Sequence, residues 1–343
     1  MTRTLKAGVI GLGFMGRTHI ANLEKMPNVE VVAIADAEPA RRANDAPVAG
    51  NIKLPAPTVD FTRLQQFSDG RDLIAQADVD FVSICLPTNL HAEFAILAAE
   101  SGRHVVVEKP MALSTQEAQR MVDAAHRNHV ELMVAQCVRF WPEFTFLRDA
   151  VKDGRMGKLL NAEFTRRSSQ PVWSWQRWMN DASRSGGAIL DLHIHDVDFM
   201  NHMLGMPAQV YATGTRTAVT GGYDLVSALF SYPNGVSVRI EGGWYFTPAF
   251  GFNAAFQGVF EKGIIRYNGA ASPHLTVLRN DSAEVETPET TGDAYYNELE
   301  FFVNCLLEGK SAASFLPPES SMQSLQLVEA EIASMESGKP VQM

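Results

Sequence analysis

Lys6-Ala7-Gly8-Val9-Ile10-Gly11-Leu12-Gly13-Phe14-Met15-Gly16 is the stretch on which the reading of the fold turns. Lys6–Ile10 reads as a short buried strand, a β-prone apolar run that stops at a glycine. Gly11, Gly13 and Gly16, with Phe14 and Met15 between them, make a GxGxxG turn, and Met15–Met26 reads as the helix that follows. Glycine here lets the chain turn tightly and lets backbone N–H groups approach a pyrophosphate at the helix N-terminus. Alone, such a cluster is also an ordinary glycine turn. Its surroundings strengthen the nucleotide reading: Val29–Ala35 (VEVVAIA) is a second strand, and it ends on Asp36. A carboxylate there can accept bonds from the adenosine ribose and would repel a 2′-phosphate, which favours NAD. Arg41 and Arg42 nearby keep NADP as the alternative, and an exposed aspartate at a strand end is the plainer reading of Asp36.

Outward from this turn the alternation continues. Pro39–Asn44 reads as a short helix start, Asp80–Leu86 as a strand and Pro87-Thr88-Asn89 as a turn. A helix over Leu90–Ser101, a strand over His104–Glu108, a helix over Ser114–Asn128 and a strand over Val130–Ala135 follow. Alternation of this kind calls for parallel strands with right-handed crossovers, a Rossmann-type α/β domain over residues 1–135. Asp45–Asp60, with Pro47, Pro55 and Pro57, reads as an irregular surface loop. Beyond residue 135 the strands are longer, more polar and alternating: Leu159–Arg167, Gln209–Thr217, Asp224–Tyr232, Val236–Trp244, Ala254–Phe260 and Ile264–Tyr267. Turns such as Pro233-Asn234-Gly235 separate them. Helices are expected over Gly187–Leu204, Ala294–Glu308 and Pro318–Glu336. Residues 136–343 therefore read as an α+β domain with a large open mixed sheet.

Two domains are the default for 343 residues. A chain 46% hydrophobic and 20% charged is neither disordered nor collagen-like. The formal charge of −10, from 39 acidic and 29 basic side chains, argues against a nucleic-acid or anionic-membrane surface. Cys85, Cys137 and Cys305 form no CxxC pair, so neither a disulfide framework nor structural zinc is expected, and a reducing cytoplasm is the natural compartment. No signal peptide or transmembrane helix is expected.

Two further stretches suggest chemistry. Glu108-Lys109-Pro110 ends a strand at the carboxyl edge of the parallel sheet, where ligands bind in such folds. Lys109 there can bond a substrate hydroxyl and favour its alkoxide as hydride leaves, or be a solvated lysine. In Gly187-Ala188-Ile189-Leu190-Asp191-Leu192-His193-Ile194-His195-Asp196-Val197-Asp198, Asp191 and His195 share one helical face by their spacing. A carboxylate that fixes one imidazole nitrogen leaves the other to move a proton. Surface histidines and a metal site are the competing readings. Metal is disfavoured because Leu190, Ile194, Val197 and Met200 recur at helical spacing, so no metal ligands are assigned. Trp173, Trp175 and Trp178 stand in an aperiodic loop that is either a lid stacking on a sugar ring or a core anchor. Arg166 and Arg167 suit a substrate carboxylate or phosphate, or pairing with the chain's own carboxylates.

Together GLGFMG, EKP and GGAILDLHIHDVD, with ICLPTNLHAE, RFWPEF, WQRWMNDASRSGG and DAYYNELEFFVNCLLEGK, resemble the Gfo/Idh/MocA family of oxidoreductases over nearly the whole chain. The resemblance implies a Rossmann domain, a C-terminal sheet domain that makes homodimer or homotetramer contacts, and hydride transfer between NAD(P) and a sugar, sugar acid or cyclic polyol. It implies Lys109, Asp191 and His195 as catalytic residues. It places Gly11, Gly13, Phe14, Met15, Gly16, Asp36, Pro87, Thr88, Asn89, His91, Glu108 and Lys109 on the cofactor, and Arg139, Arg166, Trp178, His193 and Tyr295 on the substrate side. Phe250 and Phe252 stand where some inositol-type members carry polar or tyrosine residues, which argues away from myo-inositol itself. A non-catalytic NAD-binding regulator and a nicotinamide-dependent glycosidase are the alternative functions.

Overall fold

The computed structural model describes residues 3–44, 49–50 and 57–343; most of the loop expected over Asp45–Asp60 lies outside them. The chain divides into two compact units. One comprises Met1–Cys137, Trp173–Trp178 and Tyr295–Met322, the other Val138–Val172, Met179–Ala294 and Gln323–Met343. The first change of unit falls after Cys137, and two later segments return to the first unit. Packing explains one return: Phe302, on the helix Ala294–Glu308, sets its ring edge-on to Phe81 at 5.7 Å. Glu131 anchors the stretch after that helix by accepting from Ser311 Oγ at 3.1 Å and the Ala312 N–H at 2.9 Å.

The first unit is built on β1 (Leu5–Ile10), β2 (Val29–Ala35), β3 (Gln65–Phe67), β4 (Phe81–Ile84), β5 (His104–Glu108) and β6 (Leu132–Ala135). Among the described residues these make one parallel sheet in the order β3-β2-β1-β4-β5-β6, the doubly wound arrangement. Val105, Val106, Val107 and the whole of β4 are buried, as parallel strands covered on both faces require. Helices α1 (Phe14–Leu23), α2 (Gly70–Gln76), α3 (His91–Glu100) and α4 (Thr115–Arg127) supply the cover. Ser114 caps α4 by accepting from the Glu117 N–H, and Glu117 accepts in return from the Leu113 N–H, a reciprocal closure of the helix start. The short polar edge strand β3 and α2 carry too little periodicity to have been expected.

The second unit opens with α5 (Pro142–Asp153), an element the sequence reading left out, and continues into β7 (Leu159–Ser169). After the short α6 (Ala182–Ser185) and α7 (Ile194–Leu204) come β8 (Gln209–Arg216), β9 (Tyr223–Ser231), β10 (Ser237–Phe246), β11 (Phe252–Phe260), β12 (Gly263–Asn268), β13 (Leu275–Arg279), β14 (Val285–Glu286) and β15 (Val341–Gln342). Among the described residues they form one mixed sheet, β14-β13-β12-β11-β7-β10-β9-β8-β15, with β7 parallel to β10 and antiparallel to β11. Along β7, β9, β11 and β12 buried residues alternate with more exposed ones, and the buried side forms an aromatic layer with α5 and α7. Phe144 of α5 lies at the centre of that layer, with ring centroids of Phe199 and Phe256 at 5.0 Å and of Tyr267 at 5.8 Å. Truncating it removes edge-to-face contacts and leaves a cavity. Phe144→Ala should lower unfolding stability by about 3–5 kcal/mol in urea titration; a loss under about 1 kcal/mol would contradict this packing.

Candidate active site

The glycine loop is shaped by contacts that admit no side chain. Gly11 has φ +91°, and a Cβ there would stand 2.4 Å from the Cys85 carbonyl oxygen; at Gly16 it would stand 1.8 Å from the Gly11 oxygen. Gly13 differs. A Cβ there would meet, among the described residues, just the Arg41 guanidinium at 3.3 Å, so this side of the loop is open to a ligand. Asp36 closes the end of β2: Oδ2 accepts from the Leu12 N–H at 2.7 Å and Oδ1 from the Glu38 N–H at 2.8 Å. Each oxygen keeps acceptor capacity for a hydroxyl. Thr88 Oγ1 is buried and makes no hydrogen bond among the described residues. Open glycine backbone, an oriented carboxylate and an unsatisfied hydroxyl fit the phosphates and ribose of a dinucleotide.

Lys109 follows the last residue of β5, at the carboxyl end of the parallel sheet, and its peptide to Pro110 is cis. Its neighbour Glu108 is held on two sides. Oε1 meets His19 Nε2 at 3.0 Å, and Oε2 accepts the Lys109 N–H at 3.1 Å. The other His19 nitrogen lies 2.7 Å from Ser83 Oγ, so a fully buried imidazole ties α1, β4 and β5 together. The sequence reading missed His19; its place in α1, behind the glycine loop, was the available signal. Glu108 thus supports the Lys109 backbone. His91 is likewise engaged with backbone, its two nitrogens 2.8 Å from the Pro110 and Leu86 carbonyls, so it braces both loops. Burial pushes its pKa down. Asn89 is exposed and Pro87 half-buried; Phe14 and Met15 are half-buried at the start of α1.

In the second unit the helix expected over Gly187–Leu204 is two pieces, a π turn and α7, with the short α6 ahead of it. Asp181 caps α6, Gly186 and Gly187 take left-handed φ of +78° and +80°, and Ile189–His193 winds as a π-helical turn into α7. π turns are rare and often mark functional positions. Asp191 lies in the π turn and His195 just inside α7. Across residues 191–200 every residue except His195 is buried. Leu192 and Ala188 anchor the turn on Trp244 of β10.

The flanking acids and bases are engaged with one another. Arg139 grips Asp198 with Nε at 2.7 Å and Nη2 at 2.6 Å, and Ser324 Oγ adds a bond to the same carboxylate at 2.8 Å. Arg166 grips Asp196 through Nε at 3.0 Å and Nη2 at 2.9 Å. Both arginines are buried and their guanidinium forks are matched to carboxylates. Expected on the substrate side, both are engaged in the structure with carboxylates of α7 and help to hold that helix. His193, also expected on the substrate side, has no exposed surface; its Nε2 lies 3.0 Å from Oε2 of Glu331, on the C-terminal helix Pro318–Ser337, a close charge contact short of an aligned hydrogen bond. Gly242 of β10 covers the other side of the ring, 3.3 Å from Nδ1 to its would-be Cβ. Among the described residues no group of three or more His, Cys, Asp or Glu is placed to hold a metal ion.

Trp178 and Tyr295 are half-buried and lie in segments of the first unit. The same segment brings Trp173 edge-on to Phe14, centroids 6.0 Å apart, and Trp175 under the Arg41 guanidinium at 5.6 Å. Gln176 and Arg177 both take left-handed backbone, φ +49° and +52°, at a cost of about 1–3 kcal/mol each.

The His193–Glu331 pair has a pH signature. Burial draws the His193 pKa down, but the Glu331 carboxylate and Asp196 raise it more, and the net shift is upward. A raised folded pKa stabilises fully below the unfolded value near 6.5 and is lost as pH climbs through the folded value. Denaturation midpoints should therefore fall as pH rises above about 6.5, and Glu331→Gln should flatten that decline. An equally steep decline in Glu331→Gln would contradict the pairing.

Comparison with known proteins agrees with the geometry. The model of the GFO_IDH_MocA oxidoreductase family with NAD-binding Rossmann fold matches residues 5–136, and that of the family's C-terminal domain matches residues 144–266. The rhizopine catabolism protein MocA of Rhizobium meliloti is 30% identical over 72% of this chain and 74% of its own. The inositol 2-dehydrogenase of Rhizobium meliloti is 27% identical over 97% of each chain. Levoglucosan dehydrogenase, solved with NADH and levoglucosan, superposes with a TM-score of 0.84 at 23% identity over 99% of both chains. Among the described residues no helix is long and apolar enough to cross a membrane. A doubly wound sheet with an open glycine loop, followed by a mixed-sheet unit bearing the Asp191–His195 turn, makes this chain a member of the Gfo/Idh/MocA family of NAD-binding oxidoreductases.

Proposed function

We propose that the chain is an NAD-dependent dehydrogenase that oxidises a CH–OH group of a sugar, sugar acid or cyclic polyol. The observation that carries the reading is His195: within residues 191–200 it alone keeps exposed surface, at the junction of a π turn and α7. When bound, NAD supplies the hydride acceptor. His195 takes the hydroxyl proton, Asp191 orients the imidazole, and the Lys109 ammonium holds the substrate oxygen as negative charge develops on it. Asp36 supports NAD over NADP, because its carboxylate would repel a 2′-phosphate. Relatives named as inositol 2-dehydrogenases support the polyol class.

The open face of the large sheet supports a homodimer or homotetramer. Tyr211 of β8 and Leu229 of β9 stand opposite each other in register, 39% and 42% exposed, with Tyr245 of β10 at 58%. Light scattering should give at least a dimer, and Leu229→Glu should shift it toward monomer. A wild-type monomer at micromolar concentration would contradict this part of the reading.

Catalytic roles are tested by mutation. His195→Ala and Lys109→Ala should each lower kcat by about a hundredfold or more, while NADH titration by fluorescence shows cofactor still bound. Near-wild-type turnover in either variant would overturn the assignment.

A further inference from the structure

We infer that Arg41, held by Trp175, is a binding residue for the cofactor's diphosphate, and that Trp173–Trp178 is a strap belonging to the cofactor unit rather than a lid on the sugar. The segment follows Val172 of the second unit in sequence yet packs with the first. It is built against the glycine loop at two points, Trp173 on Phe14 and Trp175 on Arg41. Two consecutive non-glycine residues in left-handed backbone, Gln176 and Arg177, persist where surrounding contacts over-determine them.

Arg41 is the reason to assign a ligand to this arrangement. Its Nη1 stands 3.3 Å from the place a Cβ would occupy on Gly13, the open side of the loop. The diphosphate of a dinucleotide approaches that backbone in a doubly wound fold. A guanidinium there meets phosphate oxygens through a planar fork, and the Trp175 ring fixes it by a cation–π contact. The charge is local, in a chain of net charge −10. The other phosphate a cofactor could offer is the 2′-phosphate of NADP. Asp36, whose oxygens are oriented by the Leu12 and Glu38 N–H groups, stands against it. Arg42, by contrast, donates to the Asp36 carbonyl and so supports the turn.

Binding of NAD, NADP and ADP-ribose to the full-length chain, by calorimetry across a NaCl series, tests the assignment without turnover. Arg41→Ala should weaken NAD and ADP-ribose together by about tenfold to a hundredfold and flatten the salt dependence of NAD binding. Trp175→Ala should weaken both by about two- to thirtyfold, Trp175→Phe should restore most of that, and the double variant should be no weaker than Arg41→Ala alone. Wild-type affinity in Arg41→Ala, a loss confined to NADP, or a loss with unchanged salt dependence would each overturn the proposal. So would additive losses in the double variant, which would separate Trp175 from Arg41. None of these readings uses a polyol, so an unsuccessful substrate assignment leaves the test intact.

Discussion

Two buried arginine–aspartate forks govern the second unit. Arg139 on Asp198 and Arg166 on Asp196 bring four charges out of water beside one helix, which carries the two aspartates, and each pair is satisfied through two parallel hydrogen bonds. Removing one partner of such a pair leaves an uncompensated buried charge, at a cost of about 3–5 kcal/mol. The forks fix the rotation of α7, and with it the one residue of that stretch that reaches the surface. The His193–Glu331 contact and the Ser324–Asp198 bond tie the C-terminal helix to the same place. The proton-transfer role proposed for His195 needs a fixed support beneath the side chain, and these polar contacts hold the helix that carries it.

The first unit solves a parallel problem with backbone. Gly11 and Gly16 are pressed against carbonyls at distances that exclude any side chain, while Gly13 is left open. Below the sheet's carboxyl edge, His19 bridges Ser83 and Glu108, and Glu108 in turn accepts the Lys109 N–H. The lysine is thereby positioned from the protein interior, through its main chain, by groups that have no exposed chemistry of their own.

Much of the fold was legible because its signals are local. The VEVVAIA and HVVVE strands, the helix Ala294–Glu308 and the GxGxxG turn follow from runs of adjacent residues, and the structure places them within a residue or two of expectation. What was not legible depends on distant partners. Arg139 and Asp198 are 59 residues apart, Arg166 and Asp196 30 apart, and nothing near either arginine says that its fork is already occupied. The same limit hid the return of Trp173–Trp178 to the first unit, since three tryptophans in an aperiodic loop read alike as lid or anchor. The π turn was missed for another reason: its residues keep helical apolar spacing, and the extra residue per turn leaves no mark in periodicity. Short polar strands such as β3 and β14 form because an edge is there to receive them.

The central claim is that the oriented His195 and the cofactor fold together oxidise a carbinol. The most direct measurement is NADH absorbance from the purified chain with NAD across a panel of sugars, sugar acids and cyclitols, repeated with NADP. The account predicts saturable NADH formation with at least one member of the panel and a lower kcat/KM with NADP. Tight NAD binding without NADH formation from any of them would contradict it and point to a non-catalytic cofactor-binding role.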